Sequence, residues 1–397
     1  QMDKPLSGIR VLDLTRVLAG PYCTMILSDL GAEIIKIENP SGGDDSRSFG
    51  PFLNGRSLYF LSINRGKKSV SLNLKTARGK EILKDLAKHC DVLVENFRPG
   101  TMERLGLGYD TLKEINPRLI YAASSGFGHS GPYSQKPAYD ILAQAMGGIM
   151  SITGWPDMAP TRVGMSLGDI TASLFTAIGI NAALFQREKT GCGQKIDVAM
   201  LDCQMAILEN ALVRYQAEGK NPEPLGNRHP TIAPFQAYQA LDDYFVIAIG
   251  NDSLWKTFCR TIDREDLIQH ENYATNKART DNLTELNRIL DPLFETRSVA
   301  DWLALLSEHQ IPSAPINKID QLMRDEQIIA RNMLVEVEDA IAGTIHIAGN
   351  PIKMDSVPES PTREKIPEIG EHNRLILTEL LGMSEHEINQ LHSEGVI

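Results

Sequence analysis

An α/β fold with a second, smaller domain is predicted by two features of the sequence. Through roughly the first 200 residues, short runs of β-branched residues alternate with segments of helical periodicity, and near Gly226 this alternation gives way to a hairpin pattern. The first strand is expected at Ile9 to Leu14, a helix from Pro21 to Leu30, and a second strand at Glu33 to Ile37. A helix from Thr76 to Lys88 and a strand at Asp91 to Val94 follow. Then come a strand at Leu119 to Ser124, a glycine-rich loop, apolar helices near Ile141 to Met150 and Ile170 to Phe185, and a strand at Lys195 to Ala199. Strands separated by helices favour parallel pairing. Beyond Gly226, Phe235 to Ala240 and Tyr244 to Ile249 flank the turn Leu241-Asp242-Asp243 and predict an antiparallel hairpin. Helices at Asp252 to Ile262 and Val299 to Glu308 fill this domain, and Ile311-Pro-Ser-Ala-Pro-Ile marks the chain leaving it. A Pro-rich stretch from Pro351 to Pro367 and a charged helical end from His372 to Leu391 form a tail expected to pack on the rest of the protein.

Composition narrows the function classes. The chain has 397 residues, 42% of them apolar and 23% charged, enough for a sizeable core and two or three domains. Forty basic residues against 51 acidic ones leave a formal charge of −11, which gives no positive field for nucleic acid or an anionic membrane. Five cysteines (Cys23, Cys90, Cys192, Cys203, Cys259), without a C-x-x-C, suggest neither a disulfide framework nor a zinc site, and point to reduced thiols in a cytosolic-type compartment. No apolar h-region opens the chain, and no window of about 18 residues reads as free of charge and turn residues, so neither a signal peptide nor a membrane span is expected.

Candidate chemistry has to be weighed motif by motif. Gly126-x-Gly128-x-x-Gly131 follows a predicted strand, but Pro132 comes directly after it and leaves no helix N-terminus for a pyrophosphate; the loop reads as a mobile glycine segment beside a site. Asp169 follows Gly168 at the mouth of an apolar helix. It reads either as an N-cap or as a carboxylate nucleophile kept ionised by helix amides. Asn64-Arg65-Gly66-Lys67-Lys68, Lys75, Arg98 and Arg104 concentrate cations near predicted strand ends, either as solvated surface charge or as the partners of a phosphate-bearing ligand. Glu95-Asn96-Phe97-Arg98-Pro99-Gly100 adds an aromatic and an amide that suit an adenine. Gly226-Asn227-Arg228-His229-Pro230 carries a cation and an imidazole, readable as a plain turn or as a contact to a substrate carboxylate. No H-E-x-x-H and no G-x-S-x-G occurs, so zinc hydrolysis and a serine triad lack support.

Taken together, Val11-Leu-Asp-Leu-Thr-Arg-Val-Leu-Ala-Gly-Pro21, Gly31-Ala-Glu-Ile-Ile-Lys-Ile-Glu38, Val94-Glu-Asn-Phe-Arg-Pro-Gly100, Tyr139-Asp140, Gly168-Asp169, Gly226-Asn-Arg-His-Pro230 and Ile249-Gly-Asn-Asp252 closely resemble the class III CoA-transferases over essentially the whole chain. The resemblance implies an α/β, Rossmann-like large domain with a smaller α+β domain, in an interlocked, ring-like homodimer. The division expected is residues 1–200 as the CoA-binding domain completed by 326–397, 201–225 as a linker helix, and 226–325 as the small domain. It further implies that Asp169 attacks an acyl-CoA, giving a mixed anhydride and then an aspartyl-CoA thioester. CoA contacts carried over by motif are Val17, Leu18, Leu72, Lys75, Asn96, Phe97, Arg98, Arg104 and the run Pro137, Ala138, Tyr139 and Asp140, with Arg228 and His229 as acid-binding candidates. Coenzyme A enters as substrate, and neither a tightly bound cofactor nor a metal is expected.

Departures from the family pattern narrow the expectation. Asn39 stands where formyl-CoA transferases have arginine, which puts one nucleotide contact in doubt. Leu18 stands where those enzymes place glutamine and their flexible glycine-rich loop is missing, which argues against oxalate and formate exchange. Tyr139 replaces the histidine that α-methylacyl-CoA racemases use as a base. The Gly-Asn-Arg-His-Pro segment looks like the branch that uses succinyl-CoA with dicarboxylic acids. Racemisation with Asp169 as a base, and a non-catalytic CoA-binding protein, are the competing readings.

Overall fold

The computed structural model describes residues 3–397 and divides into two compact units. The larger comprises the chain up to Ile149, Arg162–Leu212 and Glu326–Ile397; the smaller comprises Met150–Thr161 and Val213–Asp325. The larger unit resumes at Glu326. The small unit takes Met150–Thr161 from within the predicted large domain, and the crossing at Val213 lies ahead of Gly226. Residues 201–225 are not a single linker helix but carry most of Met200–Ala206 and all of Ala211–Glu218, separated by a turn.

Six parallel strands build the larger unit: β1 (Arg10–Asp13), β2 (Glu33–Glu38), β3 (Lys67–Ser71), β4 (Val92–Glu95), β5 (Ile120–Ser125) and β6 (Lys195–Ala199). Their spatial order is β3-β2-β1-β4-β5-β6, the doubly wound order in which the chain reverses direction of travel between β1 and β4. The accompanying helices are α1 (Ala19–Asp29), α2 (Ala77–Ala87), α3 (Asp140–Met146), α4 (Leu167–Thr190) and, after β6, α5 (Met200–Ala206); α6 (Ala211–Glu218) lies mostly in the smaller unit. β1, β4 and β5 are almost wholly buried, as a sheet covered by helices on both faces requires. By length and composition, α4 could cross a membrane, a property the sequence reading did not single out. Here half of its most apolar stretch is buried, and it packs along α1, β5 and β6.

The smaller unit holds the predicted hairpin, β7 (Phe235–Gln239) and β8 (Tyr244–Ala248), extended by β9 (Ser313–Pro315). Helices α7 (Asp252–Thr261), α8 (Leu283–Phe294) and α9 (Val299–Glu308) pack an aromatic core of Phe245, Trp255, Phe258, Phe294 and Trp302 against it. The indole of Trp302 donates to the Phe294 carbonyl at 2.8 Å, which pays the desolvation of its one polar atom.

The returning chain completes the larger unit. It forms the hairpin β10 (Leu334–Asp339) and β11 (Gly343–Ala348), with β12 (Thr362–Arg363) beside β10, then α10 (Asn373–Leu381) and α11 (Glu385–Ser393). The predicted single helical end is broken at Gly382, whose φ of +64° favours glycine, and α11 restarts on a capping box between Ser384 and Glu387. Ile376, Leu377, Ile388, Leu391 and Val396 insert into the main core beside β1 to β5. His372 Nδ1 accepts from the Ser69 amide and Asn373 Oδ1 from the Ser71 amide, so the tail covers the open edge of β3. Leu377→Ala, which removes three buried carbons from a fully enclosed site, is expected to cost about 2–5 kcal/mol. Equilibrium denaturation of the parent and variant, with an unchanged m-value, checks it.

Candidate active site

The reversal between β1 and β4 leaves a crevice at the carboxyl ends of the strands, where neighbouring connections diverge to opposite faces. A cavity of about 420 Å³ lies there, lined by Arg16–Ala19 after β1, Asn96–Pro99 after β4, Ser124–Phe127 at the end of β5, Pro137–Asp140 and Asp169. A second cavity of about 360 Å³ shares Arg16, Asp45 and Phe97 with it and runs past Asn39 and Leu72 to Lys75. Two adjoining chambers, the second mostly apolar with a lysine at its rim, suit a long ligand whose reacting end lies in the first.

Asp169 occupies the third position of α4 rather than its cap; Ser166 is the N-cap residue. The capping reading therefore fails, and the reason is tertiary. Asp140, at the start of α3, reaches across and accepts from the Gly168 amide at 2.6 Å through Oδ1, while its Oδ2 accepts from Gln144 at 2.8 Å. Gln144 in turn accepts from the Val163 amide, which ties the segment before α4 to α3. Asp169 makes no side-chain hydrogen bond among the described residues and lines the cavity. Burial and then the neighbouring Asp140 charge push its carboxyl up to about 7, so the expectation that helix amides keep it strongly ionised is not met. The thiol of Cys203, which packs beside cavity-lining Met200, is pushed up to about 11 by burial and then Asp202, and does not compete as a nucleophile.

The loop from β1 to α1 is held by side chains at Thr15, Arg16 and Val17. Asp13 Oδ1 accepts from the Thr15 amide, Lys36 Nζ donates to the Thr15 carbonyl, and Asn96 both accepts from the Arg16 amide and donates to its carbonyl. Asp44 Oδ1 accepts from the Val17 amide at 3.0 Å. Val17 has φ +69°, a left-handed conformation that a β-branched residue avoids at a cost of roughly 1–3 kcal/mol. Gly20 permits the tight return into α1, because a Cβ there would lie 2.1 Å from that of Thr15. No side chain caps α1 and its first turn carries no acid, so its leading amides stay open beside the cavity-lining Leu18 and Ala19.

Beneath the glycine loop lies a second polar cluster. Glu95, at the end of β4, is 1% exposed; its Oε1 lacks a hydrogen bond and faces the similarly orphaned Nε2 of His129 at 3.7 Å. Lys195 approaches His129 Nδ1 at 3.0 Å, and Asp197 accepts from the His129 amide. Burial, then Glu103, pushes Glu95 up to about 8. An unfolded glutamate loses its proton near 4.5 while the folded one keeps it to about 8, so stability falls as pH rises between those values. Glu95→Gln, which carries no charge, is expected to match the parent's Tm near pH 5 and to exceed it by several degrees above pH 8. Thermal melts across that range check it.

The structure gathers most sequence-derived candidates at this crevice. Val17, Leu18, Asn96, Phe97, Arg98, Pro137, Ala138, Tyr139, Asp140 and Asp169 line the first cavity, Leu72 and Lys75 the second. Arg104 lines neither and bonds Thr101. Arg228 and His229 belong to the smaller unit, where His229 donates its amide to Phe235 and packs edge-on against that ring. The buried partners Asp13, Lys36, Asp44 and Glu95 escaped sequence reasoning; the one available signal was a lysine in the middle of the apolar run Glu33-Ile-Ile-Lys-Ile-Glu38. The glycine loop leads into turns and no helix, as its Pro132 predicts. No group of three or more His, Cys, Asp or Glu suited to a metal exists among the described residues.

Comparison with known proteins gives the family. The profile of CoA-transferase family III matches residues 6–373. An acetyl-CoA:oxalate CoA-transferase of Acetobacter aceti is 44% identical over 376 residues, 94% of this chain and 95% of that protein. A succinyl-CoA:glutarate CoA-transferase of Mus musculus is 41% identical over 395 residues, 99% and 90% respectively. The crystal structure of a CAIB/BAIF family protein from Brucella suis superposes with a TM-score of 0.84 at 38% identity, covering 96% of this chain and 100% of that one. With a matching profile over nearly its whole length, relatives of similar length and a shared fold, the chain belongs to CoA-transferase family III.

Proposed function

We propose that this protein transfers CoA from an acyl-CoA donor, succinyl-CoA or a similar thioester, to a carboxylic acid through an acylated Asp169. The observation that carries this reading is a half-buried carboxylate without hydrogen-bond partners, lining a crevice beside the open amides of α1. A carboxyl pushed up to about 7 is a stronger nucleophile when ionised than an ordinary aspartate, and about half of it is ionised at neutral pH. Its Oδ attacks the thioester carbonyl, the tetrahedral oxyanion collapses with loss of CoA thiolate, and a mixed anhydride results. The thiolate then attacks Cγ of Asp169 and expels the donor carboxylate, leaving an aspartyl-CoA thioester. The acceptor carboxylate repeats the two steps in reverse order, and the enzyme carboxylate is regenerated without net proton exchange. The amides at Leu18 and Ala19 supply donors for the oxyanions.

Acceptor choice follows from the relatives. Dicarboxylic acids are proposed on the strength of the glutarate-named relative. The 44% identical relative is named for oxalate, so the absence of the formyl-CoA transferase glutamine does not by itself remove that acid from the list of acceptors. Arg228 and His229 are proposed to meet the acceptor's distal carboxylate. Racemisation is disfavoured because no histidine lines the cavity among the described residues and Tyr139 stands at the corresponding position.

A homodimer is proposed as the working form. Leu174, Ile178 and Phe185 form an exposed apolar stripe on α4, a surface that a second copy of the chain would bury.

Intact-mass measurement with succinyl-CoA alone is expected to show a CoA adduct that Asp169→Asn lacks, together with loss of turnover on a panel of oxalate, succinate, glutarate and longer diacids. Full turnover by that variant would overturn the mechanism. Because the nucleophile is the ionised form, kcat/KM is expected to rise with pH through about 7 and level off above it. Asp140→Asn removes the nearby negative charge, lowers the Asp169 pKa, and should move this limb roughly half a unit or more toward acid in a pH-rate profile.

A further inference from the structure

Asp44 lies outside every motif used to place the active site, yet its carboxylate has no exposed surface and four partners. Oδ1 accepts from the amides of Val17 and Ser46 and from the Ser46 hydroxyl, and Oδ2 faces Lys36 Nζ at 2.8 Å. Lys36, equally buried, also donates to the Thr15 carbonyl. The one residue in this loop whose backbone is unfavourable by itself is Val17, at φ +69°. A strained conformation persists only where its surroundings over-determine it, and such residues cluster where a site needs a fixed shape. The Val17 side chain is thereby turned into an apolar cluster with Leu18, Tyr59, Ile63 and Ile170, the last adjacent in sequence to Asp169.

We infer that Asp44 is a positioning residue for CoA binding: its carboxylate, anchored by Lys36, pins the Val17 amide and so holds the loop in the left-handed turn that aims the open end of α1 at the substrate cavity. Asn96, which grips both backbone groups of Arg16, holds the preceding step. The inference rests on the CoA-transfer reading. It also explains why a bulky β-branched residue at position 17 retains a conformation that glycine would adopt freely.

The test is a double-mutant cycle between Asp44→Ala and Val17→Gly, read as the Kd for free CoA by calorimetry and as separate KM and kcat values. In the parent chain, Asp44→Ala is expected to weaken CoA binding roughly tenfold, because a charge-assisted hydrogen bond is lost and the strained turn relaxes. In the Val17→Gly background the same change is expected to cost less than about threefold, since the turn no longer needs to be enforced. A merely structural Asp44 would lower Tm in both backgrounds and weaken CoA binding equally in both; equal losses, or none in either, overturn the inference. Should Asp44→Ala not fold, the isosteric Asp44→Asn is read in the same way, with a loss of roughly threefold confined to the parent background. If CoA fails to bind the unmodified protein, the transferase reading itself falls and this inference with it. Equal losses with CoA still bound sink the inference alone.

Discussion

Two lysines with no exposed surface, Lys36 on β2 and Lys67 on β3, sit among acids at the centre of the larger unit. Each carries a charge whose burial costs several kcal/mol unless it is met by opposite charge and hydrogen bonds. Lys36 is met by Asp44 and the Thr15 carbonyl, and Lys67 by Asp13, Asn64 and the Pro21 carbonyl. Burial drags Lys67 down to about 8 even so, while the acids around Lys36 outweigh its burial and raise it. Burial alone would raise Asp44, but Lys36 beside it holds that carboxyl down to about 2. Paired in this way, the charges tie the end of β1 and the loop after it to β2, to the start of β3 and to the loop after β2. An apolar core of the same volume would hold the strands together without specifying those loops.

The same economy of charge separates the carboxylates by role. Asp13 and Asp44 have cations and amides as neighbours and remain ionised deep in the protein. Asp169 has burial and a second carboxylate, and its proton is held until near neutrality. Glu95 has burial without a full partner and holds its proton longer still. The carboxyl group thus serves as clamp, as the proposed nucleophile and as neutral filler, and environment decides which.

Much of the fold was legible in the sequence because it is local. The alternation of Ile9 to Leu14, Glu33 to Ile37 and Asp91 to Val94 with helical segments reflects burial on both faces of a parallel sheet, and the structure places strands at all three within a residue or two. β3 was not legible: Lys67-Lys68-Ser69-Val70-Ser71 reads as a charged loop, since nothing local says that Lys67 will find Asp13, over fifty residues earlier in the chain. The hairpin β10–β11 also escaped notice, as its alternating charged residues Glu336, Glu338 and His346 mask the apolar face of Val335, Val337 and Ile347.

The sequence by itself determined the α/β class and the family and singled out Asp169 as a candidate, because a family's motifs and a sheet's periodicity are carried by neighbouring residues. Tertiary structure alone decided that Asp140 rather than Asp169 serves the start of α4, that Val17 is held in a left-handed turn, and that the tail seals β3. Those outcomes depend on groups 27 to more than 300 residues apart meeting at hydrogen-bond distance. No local pattern encodes such meetings, since they are selected only when the whole chain minimises its unpaired polar groups at once.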